Sequence, residues 1–555
     1  MAENSSEQGR PLTHFQPEVA YSPEKKGPQT IEIVADPVSG EILKSGDPRD
    51  VRLWIEAERS RAEALEQKPP QLEVVRGGLL IPGLVDAHAH PFIYSGLKLH
   101  DPIDASQVET KENLIEHLRE KAKEKEGGFL VATDLQTGKI RDLTREDLDR
   151  VSAENVVVYD PSYHGCVVNT RTLNEARKFS GDYERVARTK LRGEILDDGH
   201  LTEDYVYMTW EMIEAAKSVE ELARMTKEEF DRSLRRGVTS LHDLELGTYN
   251  EVIAYLLLRK EMGDKFPVRR VFVQPRTYGY MQGQMDELRR LGLADQIARG
   301  EWGLKLYADG SFGTHTAMVS SPYADGHGRG APFFTDEQLN GAIRLAREEG
   351  LDTAIHAIGD SGIQRALRLA RQWRSMDVNA DDLKFRIEHF ELPTPTGEVM
   401  QEVSDLGIWV TPQPNFLLDY VYSDRLGERV KMLCPHREML GYTDRVMFGT
   451  DGMPTSMLFA VWLATHAPEK SQRLNFEQAL LASSLTAAQY EGENRGKLVE
   501  GQKADIIVAD RKLEDILLSS AVVEDPREVP VSAAIDALEK NIQKVYLRGE
   551  LVHSK

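Results

Sequence analysis

The sequence predicts an α/β chain: a (β/α)8 TIM-like barrel, a small composite β-sandwich drawn from both chain ends, and a subdomain inserted after the first barrel strand. Three observations predict it. Eight apolar, β-branched runs in the middle of the chain each end near a polar residue and alternate with amphipathic stretches. Further β-rich pieces stand at the two chain ends, and a long segment interrupts the alternation after its first run. Eight is the strand number that closes such a barrel.

Taken in order, residues 1–28 are polar with scattered Pro and Gly and are expected to form a flexible arm. IEIVAD (31–36), VRLWIEAE (51–58) and LEVVRGG (72–78) are expected strands, matched at the far end by ADIIVAD (504–510) and VYLRGELV (545–552). Together 29–78 and 495–555 would make the sandwich. The barrel, 79–97 plus 231–494, has its strands at LLIPGLVDAH (79–88), GVTSLHD (237–243), VRRVFVQ (268–274), GLKLYAD (303–309), DTAIHA (352–357), FRIEHF (385–390), IWVTPQP (408–414) and RVMFGTD (445–451). Leu339, Ala342, Ile343 and Ala346 recur at helical spacing in LNGAIRLAREEG (339–350). KENLIEHLREKAKEKEGG (111–128) reads as a surface helix with Leu114, Ile115, Leu118 and Ala122 facing inward. Residues 98–230 carry their own strand, NVVVYD (155–160), and are expected to be the inserted α/β subdomain.

Composition narrows the function. With 91 acidic against 69 basic residues the formal charge is −22, which repels phosphate backbones and anionic lipid, so neither nucleic acid nor membrane is an expected partner. Two cysteines, Cys166 and Cys434, make no disulfide framework, and a cytoplasmic location is expected. A homodimer is the default assembly.

Active sites of such barrels lie at the C-terminal ends of the strands. Six candidate metal ligands fall in or at those ends: His88, His90, Lys305, His356, His389 and Asp451. In DAHAH, alternation puts His88 and His90 on one face, where two imidazoles can meet one ion of the zinc type. Each residue also has a plainer reading. The histidines can be packed core residues, and Asp451 can cap the following helix. Their joint placement on five strands favours the metal.

PGLVDAHAH, followed by strand-end His, His and Asp, resembles the amidohydrolase superfamily. RRGVTSLHD (235–243), GLKLYADGSFGTHTA (303–317), AIHAIGD (354–360), RIEHFELP (386–393), TPQPNF (411–416) and FGTDGMP (448–454) resemble its branch of N-substituted formamide deformylases and exoenzyme-like hydrolases. SYHGCVVNT (162–170), GEILDDGHLTEDY (193–205) and GKLVEGQKADIIVAD (496–510) extend the likeness over 79–510, while residues 1–78 depart from it.

The resemblance implies hydrolysis of a non-peptide amide or formamide C–N bond in a small molecule. The cofactor would be one or two divalent ions, Zn²⁺ first, activating a water. Asp451 would be the catalytic proton shuttle. Lys305 would be carboxylated, its carbamate bridging two metals; the alternative is an ammonium paired with an acid such as Asp309. Tyr94, His164, Asn169, Asp309, Ser311, Gln413 and Asn415 are candidate substrate contacts, and His242 and Asp243 candidate partners that orient a ligand imidazole. A mononuclear deaminase of cyclic amidines keeps the same fold, but no Glu follows His356 where that class needs one. Ester or carbamate hydrolysis, a metal-free scaffold and a binding module built on the insertion are the remaining readings.

Overall fold

The computed structural model describes residues 9–555 except 99, 107, 125–127, 136–139, 188–190, 192, 275–288, 291–300, 377–381 and 519–524. Three sheets organise it.

The barrel sheet has seven parallel strands in chain order: Leu84–Ala89, Val238–Leu246, Val268–Val273, Trp302–Tyr307, Asp352–Ala357, Phe385–His389 and Trp409–Thr411. These are seven of the eight expected strands. The eighth segment, 445–451, is not a regular strand. It closes the ring through one parallel bridge, Val410 to Val446, and through bonds to its other neighbour, Ala87 N to Phe448 O (3.0 Å) and Asp451 N to His88 O (2.7 Å). Gly449 explains the tight passage: a Cβ there would lie 2.4 Å from His88 Cβ. The first barrel strand is shorter than expected, because residues 79–82 end a strand of another sheet and the barrel begins only at Leu84.

That other sheet unites both chain ends in seven strands. Pro11–Ala20 pairs in parallel with Gln71–Pro82, and Glu32–Asp36 and Glu41–Gly46 extend one side. Ile506–Ala509, Ile542–Leu547 and Glu550–Ser554 extend the other. Two expectations fail here. The supposed arm contributes a central strand over residues 11–20, with Leu12, Phe15 and Val19 buried; residues 1–8 lie outside the described set. VRLWIEAE lies within a helix, Pro48–Ala64, started by the Asp47 cap and Pro48 in its first turn, with Val51 and Ile55 buried one turn apart. Capping, rather than β-propensity, decides this segment.

The inserted sheet runs Ile103–Asp104, Phe129–Thr133, Asn155–Tyr159, Gly165–Val168 and His200–Thr202. Helix Lys111–Glu124 covers it with Leu114, Ile115 and Leu118 buried. Helix Val219–Arg235, most of which falls within the expected insertion, instead buries Leu222 and Phe230 in the barrel's core. Among the described residues no helix is long and apolar enough to cross a membrane.

Candidate active site

Strand ends converge on one cavity. Ligand atoms of His88, His389 and Asp451 lie within 4.8 Å of one another. His90 Nε2 stands 2.8 Å from Asp451 Oδ1, Lys305 Nζ is 3.5 Å from His88 Nε2, and the His356 ring is 4.3 Å from that of His389. The six residues expected to act together are therefore one cluster, and Asp451 is not a helix cap; the following helix is capped by Ser456.

Local backbone bends make the cluster possible. His389 (φ 69°), Phe390 (φ 53°) and Asp451 (φ 55°) occupy the left-handed region, which costs a non-glycine residue energy and needs support from its surroundings. At His389 the bend breaks strand alternation, so Glu388 and His389 both serve the same site. Asp86 supports the other end, accepting from Thr450 N (2.9 Å) and Thr450 Oγ1 (2.6 Å) and so tying the first strand to the irregular eighth segment. Tyr94 Oη donates to Asp451 O (2.8 Å). A side chain at Gly452 would strike the Tyr94 ring at 1.9 Å, and its φ of +75° also favours glycine.

Hydrogen bonds set the tautomers. His88 Nδ1 donates to Glu388 Oε2 (2.7 Å), so its Nε2 presents a lone pair. Gln413 Nε2 is committed to Thr411 O (2.8 Å), which turns Gln413 Oε1 to His389 Nδ1 (2.9 Å) and frees His389 Nε2. His356 Nε2 donates to Gly310 O (3.1 Å), leaving Nδ1 unprotonated. Burial, the largest influence in each case, holds His88, His356 and His389 well below the ordinary imidazole range, so all three are neutral donors. Lys305 is also lowered, chiefly by burial, and among the described residues it has no carboxylate within ion-pair distance. Neutral imidazoles backed by hydrogen-bond partners, a carboxylate and a desolvated amine are a donor set that fits a divalent cation. The buried His90 Nδ1, with no hydrogen-bond partner among the described residues, adds a further donor atom to that set.

The insertion builds the opposite wall. His164 faces His356 with rings 5.5 Å apart, and its Nδ1 is 2.7 Å from Glu203 Oε2. Burial alone would lower His164, but Glu203 outweighs it and raises the pKa. Tyr163, Tyr207 and Trp210 enclose the cavity, whose free space is about 50 Å³. Tyr207 Oη reaches Tyr307 Oη (3.4 Å), and Tyr307 Oη donates to Glu245 Oε2 (3.2 Å), joining insertion to barrel.

Of the seven expected substrate contacts, Tyr94 and His164 line the cavity. Gln413 stands behind His389 instead. The other four are structural. Asn169 bonds Ser152 O, Glu154 O and Val156 N inside the insertion. Asp309 takes the amides of Ile358, Gly359 and Met318 rather than pairing with Lys305, and burial pushes its pKa to about 7. Ser311 closes its own loop with Thr314, and Asn415 donates to Thr450 O and Pro454 O. Asn169, Asp309 and the Asn415 amide nitrogen are committed to backbone, and Ser311 Oγ to Thr314 through its hydroxyl and its amide. His242 does not touch a ligand imidazole: its Nδ1 accepts from Arg386 Nη1 (3.1 Å) and its Nε2 faces Glu491 Oε1 (3.2 Å). Asp243 bonds Glu245 N (3.0 Å).

Sequence reading missed Glu388, Glu245, Tyr307, Tyr207 and Trp210. Glu388 had a signal. Arg386 and Glu388 are charges two apart on one face of an apolar strand, which demands a buried pair, and both are fully buried here.

Strand-end histidines, a lysine and an aspartate gathered at the mouth of a parallel barrel, beside a sheet made from both chain ends, define an amidohydrolase-type site. The chain belongs to the amidohydrolase family, whose Amidohydro_3 model matches residues 75–553. It is similar to YtcJ of Bacillus subtilis (strain 168), 23% identical over 529 residues covering 89% of this chain and 93% of that one. Arabidopsis thaliana Protein LONG AFTER FAR-RED 3 is 25% identical over 472 residues, 78% of each. Among solved structures, an uncharacterized metal-dependent hydrolase from Pyrococcus horikoshii OT3 shares the fold with a TM-score of 0.66 at 23% identity, covering 94% of this chain and 99% of that one.

Proposed function

We propose that this chain is a metal-dependent hydrolase of a non-peptide C–N bond, amide or formamide in type. The observation that carries the reading is the convergence of the His88, His389 and Asp451 donor atoms within 4.8 Å in one cavity at the strand ends. His88, His90, Lys305, His356, His389 and Asp451 would hold one or two divalent ions, Lys305 being carboxylated by CO₂ with loss of a proton in the two-ion case. When bound, such an ion, Zn²⁺ first, supplies an activated water and polarises the substrate carbonyl.

The rest falls to side chains. Asp451, fixed by Tyr94 and by His88 O, takes the proton of the attacking water and returns it to the departing nitrogen. His164, held by Glu203 through Nδ1, offers its other ring nitrogen to the substrate from the insertion side. Tyr163, Tyr207 and Trp210 exclude bulk water.

The test is a panel of N-formyl, N-acyl and cyclic amides with metal-reconstituted protein, reading released amine. The wild type should release amine, fastest from formamides, and Asp451→Asn should keep its metal yet lose roughly 10²–10⁴-fold in kcat. Ammonia released from cyclic amidines, with no amine from any amide, would replace this reading with a deaminase; unchanged turnover in Asp451→Asn would remove the shuttle.

A further inference from the structure

The loop between the fourth barrel strand and helix Asp336–Glu348 carries a second group of cation donors, separate from the barrel cavity. His315 Nε2 lies 2.7 Å from Asp325 Oδ2, and His327 Nδ1 lies 3.2 Å from Asp325 Oδ1. The two imidazoles stack with centroids 3.9 Å apart at 19°, and one ligand atom from each of the three residues falls within 4.8 Å of the others.

The group is held from outside itself. Tyr323 Oη donates to Ala317 O (2.9 Å), and the Tyr323 ring meets His315 edge-on at 5.0 Å. Ala324 N donates to Arg425 O (2.7 Å), while Arg425 Nη1 returns to Phe312 O (2.9 Å). His315 itself sits at φ 59°, a conformation the surrounding loop must enforce. Two stacked rings this close repel if both are charged, so the arrangement suits neutral imidazoles. Burial, the main influence, lowers His315, and Asp325 remains ionised with a pKa near 2, where the bonds from His315 and His327 outweigh its own burial.

We propose that His315, Asp325 and His327 form a second cation site taking a borderline transition-metal ion such as Zn²⁺. Two imidazole nitrogens and one carboxylate oxygen select zinc and its neighbours over calcium or magnesium, and three protein ligands leave the remaining positions to water. Each imidazole now directs an N–H at the carboxylate. On binding, that proton leaves the coordinating nitrogen, either to the ring's other nitrogen or to solvent, and the metal takes its place between ring and carboxylate. The inner end of the same loop supplies Gly310 O to His356, so a cation at the outer end staples the segment that sets a barrel imidazole's tautomer.

The test uses the full chain. Wild type, His327→Ala and Asp325→Asn are stripped with chelator, dialysed to equilibrium against buffered Zn²⁺, and counted by mass-spectrometric metal analysis; wild-type crystals soaked in Zn²⁺ are measured at the zinc edge. His327 is mostly exposed, so its alanine variant should fold, which equal Tm values in chelator verify. The expected result is one zinc fewer in His327→Ala, at least tenfold weaker uptake of that zinc in Asp325→Asn, and an anomalous peak among the three side chains. Equal zinc content in all three proteins, or no peak at that position, overturns the proposal.

Discussion

The two halves of the cavity are held in different ways. On the barrel side His88 rests on a buried chain of bonds that crosses the fold. His88 leans on Glu388, and Glu388 on Arg386, which also donates to Ala87 O (2.6 Å) and Thr411 Oγ1 (2.9 Å). Arg386 meets His242, which meets Glu491, and Arg495 links Glu491 to Asp505 in the terminal sheet. On the insertion side His164 is fixed by one carboxylate and a tight local turn, with His164 N on Ser162 Oγ (3.2 Å) and Glu203 N on His164 O (2.9 Å). The contrast separates a floor whose geometry belongs to the whole fold from a wall that can be altered alone. Selection for a new substrate therefore has its freedom in the wall.

The widest break in this contrast should come from Glu491. Burial alone would raise its pKa, but Arg495, His242 and Ser240 outweigh that and lower it from 4.5 to about 2. A carboxylate depressed in the folded state contributes stability above its unfolded pKa and loses it as the pH falls through the folded value. Glu491→Gln should therefore lower the unfolding free energy by roughly 3 kcal/mol at pH 7, with the gap closing between about pH 4.5 and 2. Denaturant titrations across that range measure it, and a gap independent of pH would mean the floor is not held by this charge.

Next in size is Glu388→Gln, which removes the carboxylate that fixes the His88 tautomer. Metal affinity should fall about 10–100-fold in a chelator competition. Unchanged affinity would show that His88 needs no support from beneath. The smallest effect is expected at the wall: His164→Ala should change kcat/KM about tenfold and reorder the amide panel, leaving metal content intact. Loss of metal in that variant would erase the distinction between wall and floor.

How much of this was legible in the sequence depended on whether a signal was local. Seven barrel strands announced themselves by apolar β-branched runs with a chemically active residue at the end, and so did the six clustered side chains. The eighth segment was located correctly but mistaken for a strand, because RVMFGTD has strand composition while Gly449 lets it pass too close to His88 for regular pairing. Residues 11–20 look polar, and only their pairing partners some sixty residues later make them a strand. Asn169, Asp309, Ser311 and Asn415 share the polarity of true substrate contacts, and nothing local tells a side chain spent on backbone amides and carbonyls from one aimed into a cavity. Tyr207 and Trp210 were invisible for the converse reason: their role exists only because the insertion folds back over the barrel.

The left-handed backbone at Asp451 has a consequence for how this position can change over time. Only glycine, asparagine and aspartate visit that region readily. The main chain thus restricts the alphabet at 451 before any chemistry is asked of it, and a single member of that short alphabet carries a carboxylate. Glutamate, the usual conservative exchange, is disfavoured twice, by the main chain and by its extra reach. Descendants that give up the reaction should leave through asparagine or glycine, and such a residue at this site would mark a retired enzyme whose barrel still stands.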